Sequence, residues 1–339
     1  MRKGSKTNKL LQQCSSPSSN SIPNKLFCNS LNIYILLIFF TISGCQQKIH
    51  IISGKTMGTS YSIKYTGTNN ITKAEIDNRL TAINKIMSNW DENSEISKLN
   101  NAQISKPIKT SAELFFVLKE AKKAYNKTDG YFDVTIGNLI ETWGFGIKKI
   151  INPPSYEKIK NVNFGQDNLI LKANKVTKLK NININLSAIA KGYAVDEIAK
   201  LLKTKNINNF LVEIGGEIKA SGSKFDKNWK IAIEPLDGNI ETIYLDNNAV
   251  ATSGDYRNFI IWGNKKYPHI LNPKTSKPVV NNLVSITVIN QSAMLADIYA
   301  TAFMAMGYEK AKSFAYANNI KVFFILRNNK NLISKSVNW

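Results

Sequence analysis

The sequence predicts an α+β fold, with mixed, largely antiparallel β-sheets flanked by helices. Three observations carry this reading. Short stretches with apolar residues at period two recur from Tyr61 to Leu326, the period of a strand. Between them lie stretches with apolar residues at helical spacing, such as Ile76, Leu80, Ile83 and Met87. The strand stretches 210–220 and 229–245 follow one another closely and read as hairpins, which argues against a doubly wound parallel sheet. No internal repeat is visible.

Taken in order, Tyr61 to Tyr65 alternates as a strand, and Lys73 to Trp90 is helical until Asp91-Glu92-Asn93-Ser94 breaks it. A second amphipathic helix runs from about Ser111 to Tyr125 and ends at Asp129-Gly130. Weak strands occupy Asn168 to Leu171 and Lys175 to Leu179. Ile182, Ile184 and Leu186 alternate with asparagines, so a strand is expected there, followed by a helix to about Leu202 with Ser187 as its N-cap. Strands follow at Phe210 to Ile214, Glu217 to Ala220, Trp229 to Glu234 and Glu241 to Leu245. Residues 251–257 read as a polar loop, and Tyr267 to Leu271 as a short strand carrying His269. Val284 to Ile289 is a strand, Ser292 to Met306 an almost wholly apolar helix, and Lys321 to Leu326 the closing strand.

Composition removes several function classes. The net charge of +21 is carried by scattered lysines. Nucleic-acid binding calls for clustered basic residues with interleaved aromatics, and none occurs outside the N-terminus, so no nucleic-acid partner is expected. An anionic membrane surface or ligand fits the charge better. The three cysteines, Cys14, Cys28 and Cys45, all precede the body of the chain. A disulfide framework, a cysteine nucleophile and a cysteine metal site are thereby excluded there. With only His50 and His269 present, a multi-histidine metal cluster is excluded too.

The N-terminus reads as an address. The apolar run Ile33 to Ile42 is too short to span a bilayer comfortably and has the length of a signal-peptide core. It ends in Ile42-Ser43-Gly44-Cys45, which resembles the bacterial lipoprotein box, whose cysteine is lipidated. The expected organisation is a lipoprotein signal peptide with a long n-region over 1–44, a lipid-anchored tether over 45–53, and one folded body over 54–339. This places the protein in the bacterial cell envelope, on a membrane facing the periplasm. Gln46 leaves open which membrane.

Three positions stand out chemically. Lys191 falls in or near the first turn of its expected helix, where a cation opposes the helix dipole unless an anion shares the site. It marks either a phosphate-binding junction or a solvated lysine. Asp297 is the one charge in the apolar helix, with the Thr301 hydroxyl one turn on. Together they suit Mg²⁺ or Ca²⁺; a carboxylate satisfied by backbone or lysine is the alternative. His269 is either a base for proton transfer or a satisfied polar residue.

Eight segments occur in a characteristic order: Lys55-Thr56-Met57-Gly58-Thr59, Gly130 to Gly137, Trp143-Gly144-Phe145-Gly146, Leu186 to Asp196, Glu213-Ile214-Gly215-Gly216, Thr252 to Arg257, His269 to Pro273, and Ala296-Asp297 with Thr301. Together they resemble the ApbE-type FAD:protein FMN transferases over nearly all of the chain after Cys45. The resemblance implies an ApbE-like (T-fold-like) catalytic body. It implies FAD contacts at Met57, Trp90, Tyr131, Phe132, Asp133, Asn185, Lys191 and Leu271. It also implies a Mg²⁺ site from the Ala188 carbonyl, Asp297 and Thr301.

The implied reaction moves FMN from FAD, the substrate, to a threonine hydroxyl of a membrane redox protein bearing a Ser/Thr flavinylation motif. AMP is released, and His269 or Asp255 is the candidate base. A Mg²⁺-dependent FAD pyrophosphatase and a non-enzymatic flavin-binding lipoprotein are the alternatives. Two departures from the family pattern matter. Asn185 stands where members usually carry Asp, and Ala300 where some carry a second Asp.

Overall fold

A computed structural model of the chain describes residues 48–233, 241–256, 258–329 and 331–339. The signal-like stretch and Cys45 lie outside the described residues. Among those described, no helix is long and apolar enough to cross a membrane.

The chain opens with strands β1 (Ile49–Thr56) and β2 (Thr59–Thr66), then helices α1 (Lys73–Met87) and α2 (Glu95–Asn100). Strand β3 (Ile108–Lys109) precedes α3 (Ala112–Lys127), α4 (Gly137–Thr142) and α5 (Tyr156–Lys160). Next come β4 (Leu169–Lys172), β5 (Lys175–Lys178), α6 (Ala190–Thr204), β6 (Phe210–Ile214) and β7 (Glu217–Ser221). Short strands follow: β8 (Ser223–Lys224), β9 (Lys227–Ile233), β10 (Glu241–Leu245), β11 (Ala249–Gly254), β12 (Phe259–Trp262), β13 (Lys265–Pro268), β14 (Leu271–Asn272) and β15 (Lys277–Pro278). The last elements are β16 (Leu283–Asn290), α7 (Ala293–Met306), α8 (Tyr308–Ala317), β17 (Lys321–Asn328) and β18 (Asn331–Val337).

The centre is an eight-stranded sheet in the order β1-β2-β6-β7-β11-β16-β17-β18, with every neighbouring pair antiparallel. The predicted α+β class therefore holds. Both faces of this sheet are buried, and the period of two shows why. Phe210, Val212 and Ile214 face the larger core with Ala249, Ala251, Val322 and Phe324. Leu211, Val250, Phe323 and Ile325 face a second core with Trp229, Ile231, Ile243 and Leu245 of β9 and β10. Helices α6 and α7 pack on each other and on the first face. Helix α7 is buried on nearly every side, as its apolar sequence requires.

The structure departs from the expected elements at several points. β1 starts at Ile49 and pairs in register with β2, so part of the expected tether is sheet. Residues 251–254 belong to β11 rather than to a loop, held by β16. β13 stops at Pro268, and His269 lies in the bend after it. A further strand, β18, follows Leu326.

The stretch 182–186 is not a strand. Ile182, Ile184 and Leu186 are buried as the alternation requires, but side chains take the backbone groups of Ile184 and Leu186. Asn100 donates to the Ile184 carbonyl at 2.9 Å and accepts from its N–H at 2.8 Å. Asn89 donates to the same carbonyl at 2.7 Å and accepts from Leu186 N–H at 3.0 Å. Asparagines thus serve one edge, while on the other Asn185 N–H donates to the Val134 carbonyl at 2.7 Å and Gly137 N–H donates to the Asn183 carbonyl at 2.8 Å, an isolated bridge in place of a full strand. Ser187 is not the N-cap. That position falls to Ile189, which makes no side-chain cap.

Candidate functional site

The site lies where the start of α6 meets α7. Gly192 lets them meet: a Cβ there would come within 2.4 Å of the Ala293 carbonyl. Asp196, from the same helix, accepts from Ser292 Oγ at 2.6 Å and from the N–H groups of Ala293 and Met294 at 3.1 Å. It caps α7 across the chain. The contact brings Gly192 N–H to 3.1 Å from Asp297 Oδ2. A carboxylate at the start of α6 complements its dipole and accepts one of its unsatisfied donors.

Asp297 is almost fully buried, and burial raises its pKa against the pull of Lys191 and the Gly192 N–H. Lys191 Nζ stands 2.8 Å from Glu217 Oε1 and 3.9 Å from Asp297 Oδ2. Glu217 is 4 % exposed, and its Oε2 has no hydrogen-bond partner among the described residues. Its pKa is pushed up to about 7 by burial and then by the Asp297 charge. Thr301 Oγ1 lies 3.5 Å from Ser253 Oγ on β11.

These groups line a cavity of about 260 Å³, shared with Tyr131, Phe132, Asp133, Asn185, Ala188, His269 and Leu271. Asp133 Oδ1 accepts from Thr135 N–H at 2.8 Å and Thr135 Oγ1 at 2.7 Å, which fixes the wall. Asn185 Oδ1 accepts from Ser187 N–H at 2.9 Å and shapes the turn into α6. Tyr131 stands under two cations, Lys310 and Lys274, with Lys310 Nζ donating to its hydroxyl at 2.8 Å. Beside this cavity is a second of about 360 Å³, lined by Met57, Trp90, Ser187 and Lys191. Ser187 and Lys191 thus belong to both. Met57 and Gly58 form the two-residue turn between β1 and β2, both with positive φ, the geometry of a tight hairpin. Trp90 is 64 % exposed, unusual for so large an apolar ring.

His269 is held by the hairpin of β12 and β13. Its N–H and its Nδ1 both meet the Asn258 carbonyl, at 3.0 and 2.9 Å. A carbonyl only accepts, so Nδ1 carries the proton and Nε2 keeps its lone pair. Burial lowers the His269 pKa, helped by the Lys191 charge and opposed by the Asn258 carbonyl. The ring is therefore neutral at neutral pH. Asp255 lines neither cavity. Its carboxylate faces Lys266 at 3.8 Å and Arg327 at 3.6 Å.

The donors around Asp297 are oxygens: its own carboxylate, Glu217, and the hydroxyls of Thr301 and Ser253. With Ala188 on the same wall, they fit a hard divalent cation. The Lys191 ammonium, between two buried carboxylates, stands where such a charge would be stabilised.

A family model, that of the ApbE family, matches residues 57–324. The chain belongs to the ApbE family. A FAD:protein FMN transferase of Haemophilus influenzae is 37% identical over 327 residues, covering 90% of this chain and 94% of the relative. That of Vibrio cholerae is 38% identical over 303 residues, covering 84% of this chain and 90% of the relative. The solved structure of the flavin transferase ApbE from Vibrio cholerae superposes with a TM-score of 0.79 at 35% identity, covering 86% of this chain and 97% of the other. A Pseudomonas stutzeri flavinyl transferase ApbE, in its apo form, gives 0.81 at 30%, covering 86% and 95%.

Within this ApbE fold, the sequence reading missed Glu217, Ser253 and Asn258 as site residues. Glu217 directly follows Gly215-Gly216 and reads in the sequence only as a strand residue. Its sequence signal is a lone carboxylate opening a strand, and period two sets it with Lys219, opposite Ile218 and Ala220, on the face expected to be solvated.

Proposed function

We propose that this chain transfers FMN from FAD to a threonine hydroxyl of a membrane redox protein, with Mg²⁺, releasing AMP. The observation that carries the reading is the position of Lys191. It joins two adjoining cavities and stands beside a buried carboxylate pair. A dinucleotide has two ring systems joined by a pyrophosphate. Two cavities meeting at a lysine and a helix N-terminus match that shape and charge. The relatives named above are FAD:protein FMN transferases by name, which supports the transfer of FMN from FAD to a protein.

The threonine Oγ attacks the phosphorus on the FMN side of the pyrophosphate. The bond from that phosphorus to the bridging oxygen breaks, and AMP departs with that oxygen. His269 Nε2 accepts the hydroxyl proton, because its lone pair is kept available by the Nδ1 contact to Asn258. Lys191 offsets charge on the leaving phosphate. Trp90, exposed beside the second cavity, offers a stacking face for a ring. Asp297, Thr301 and the Ala188 carbonyl would hold Mg²⁺, which supplies charge neutralisation at the phosphates. A lipid anchor at Cys45 would hold the enzyme beside acceptors at a membrane facing the periplasm.

The test is incubation of the purified chain with FAD, Mg²⁺ and an acceptor carrying the Ser/Thr motif. Modified acceptor supports the transferase. Free FMN with an unmodified acceptor supports hydrolysis, and intact bound FAD supports a carrier.

A further inference from the structure

The relation of Lys191 to its two carboxylates has a consequence for cation binding. Glu217 comes from β7 and Asp297 from α7, and each is buried at the cavity floor. Two buried carboxylates repel each other and each is costly to ionise. The Lys191 ammonium offsets both, at 2.8 and 3.9 Å. A divalent cation beside Asp297 would meet the same ammonium at close range, where like charges repel strongly in a poorly screened site. Both cations cannot hold that place together.

We propose that Lys191 is a resident counter-cation of the metal site, held there by Glu217, and that a divalent cation binds by displacing it. The proposal rests on the reading that a divalent cation binds at Asp297. Glu217 then has two duties. Before the cation arrives it anchors Lys191 through Oε1. Afterwards its carboxylate adds negative charge to the site, and Oε2, unpartnered among the described residues, becomes available as an acceptor. The displaced ammonium does not need to enter bulk water, because the Lys191 side chain already borders the second cavity. There it can meet the phosphates of FAD. Glu217 is on this account a positioning residue for Lys191.

Titration of the full chain with Mn²⁺ alone, followed by electron paramagnetic resonance at pH 8, tests this without FAD or acceptor. Glu217→Gln should weaken Mn²⁺ binding by about 10–100-fold. Lys191→Met keeps the apolar stem but removes the competitor, and should tighten binding by at least about ten-fold. The opposite signs matter, since damage to the fold would weaken binding in both variants. Lys191→Arg keeps the charge and should bind Mn²⁺ no more tightly than wild type. Unchanged or weakened binding in Lys191→Met would overturn the displacement, as would unchanged binding in Glu217→Gln. If the wild-type chain itself binds no Mn²⁺, the cation site fails together with the proposal.

Discussion

Gly192 and Asp297 lie 105 residues apart in the chain, yet the N–H of the first donates to a carboxylate oxygen of the second at 3.1 Å. This one bond joins the lysine-bearing start of α6 to the acid of α7. It makes a single site of two features that are separate in the sequence.

The contact depends on the missing side chain of Gly192. Gly192→Ala places a Cβ 2.4 Å from the Ala293 carbonyl and 2.7 Å from Met294 Cα. Both atoms are backbone, so the helices must move apart. A loss of about 1–3 kcal/mol in stability is expected, together with weaker FAD binding as Asp297 shifts from Lys191. Urea denaturation and FAD titration measure the two effects; wild-type values in both would remove the close approach from the account.

Trp90 separates binding from stability. Its ring is mostly exposed, so Trp90→Ala should leave the melting temperature within a few degrees of wild type. If the indole stacks on a ring of FAD, the same change should weaken FAD binding by about 1–3 kcal/mol, roughly five- to 150-fold. Fluorescence titration with FAD measures it.

The two candidate bases make different predictions. His269→Gln should lower kcat by about 10²–10⁴-fold with little change in FAD affinity. Asp255→Asn should leave kcat within a few-fold, because Asp255 lines neither cavity. The pH profile adds a sign. The His269 pKa is lowered, so the neutral, proton-accepting ring persists below the ordinary histidine midpoint. With Mg²⁺ kept saturating at every pH, activity should rise through a midpoint below that of free histidine and stay flat above it. A loss in Asp255→Asn equal to that in His269→Gln would return Asp255 to the reaction.

The proposed cation binding carries its own pH dependence. Protons compete with the cation for Glu217, whose pKa is pushed up to about 7, and for Asp297, also raised. Both must be ionised to bind it. Mn²⁺ affinity should therefore fall as pH drops through about 7 and recover above it. Removing the metal with EDTA should stop turnover, and added Mg²⁺ should restore it. Binding that does not change between pH 5.5 and 8 would exclude Glu217 from the site.

Much of this was legible in the sequence, for identifiable reasons. The strand Phe210–Ile214 and the helix Ala293–Met306 carry predominantly apolar patterns with clear ends. Asp297 showed because a single charge in an apolar helix has few explanations. The segment 182–186 misled because its buried positions alternate like a strand while Asn89 and Asn100 occupy its backbone groups. Glu217 was hidden because the carboxylate gains its role only from Lys191 and Asp297, which reach it through other elements. The burial of β11 on both faces likewise depends on β9 and β10, which no local pattern reveals.

In the proposed reaction the hydroxyl of an acceptor protein, and not water, takes the FMN group. The most direct measurement is the intact mass of a candidate acceptor after incubation with the full chain, FAD and Mg²⁺, with AMP measured in the same sample. The expected result is an acceptor heavier by one FMN phosphoryl group, located on a threonine, with one AMP released for each group attached. AMP and free FMN in equal amounts beside an unmodified acceptor would contradict it.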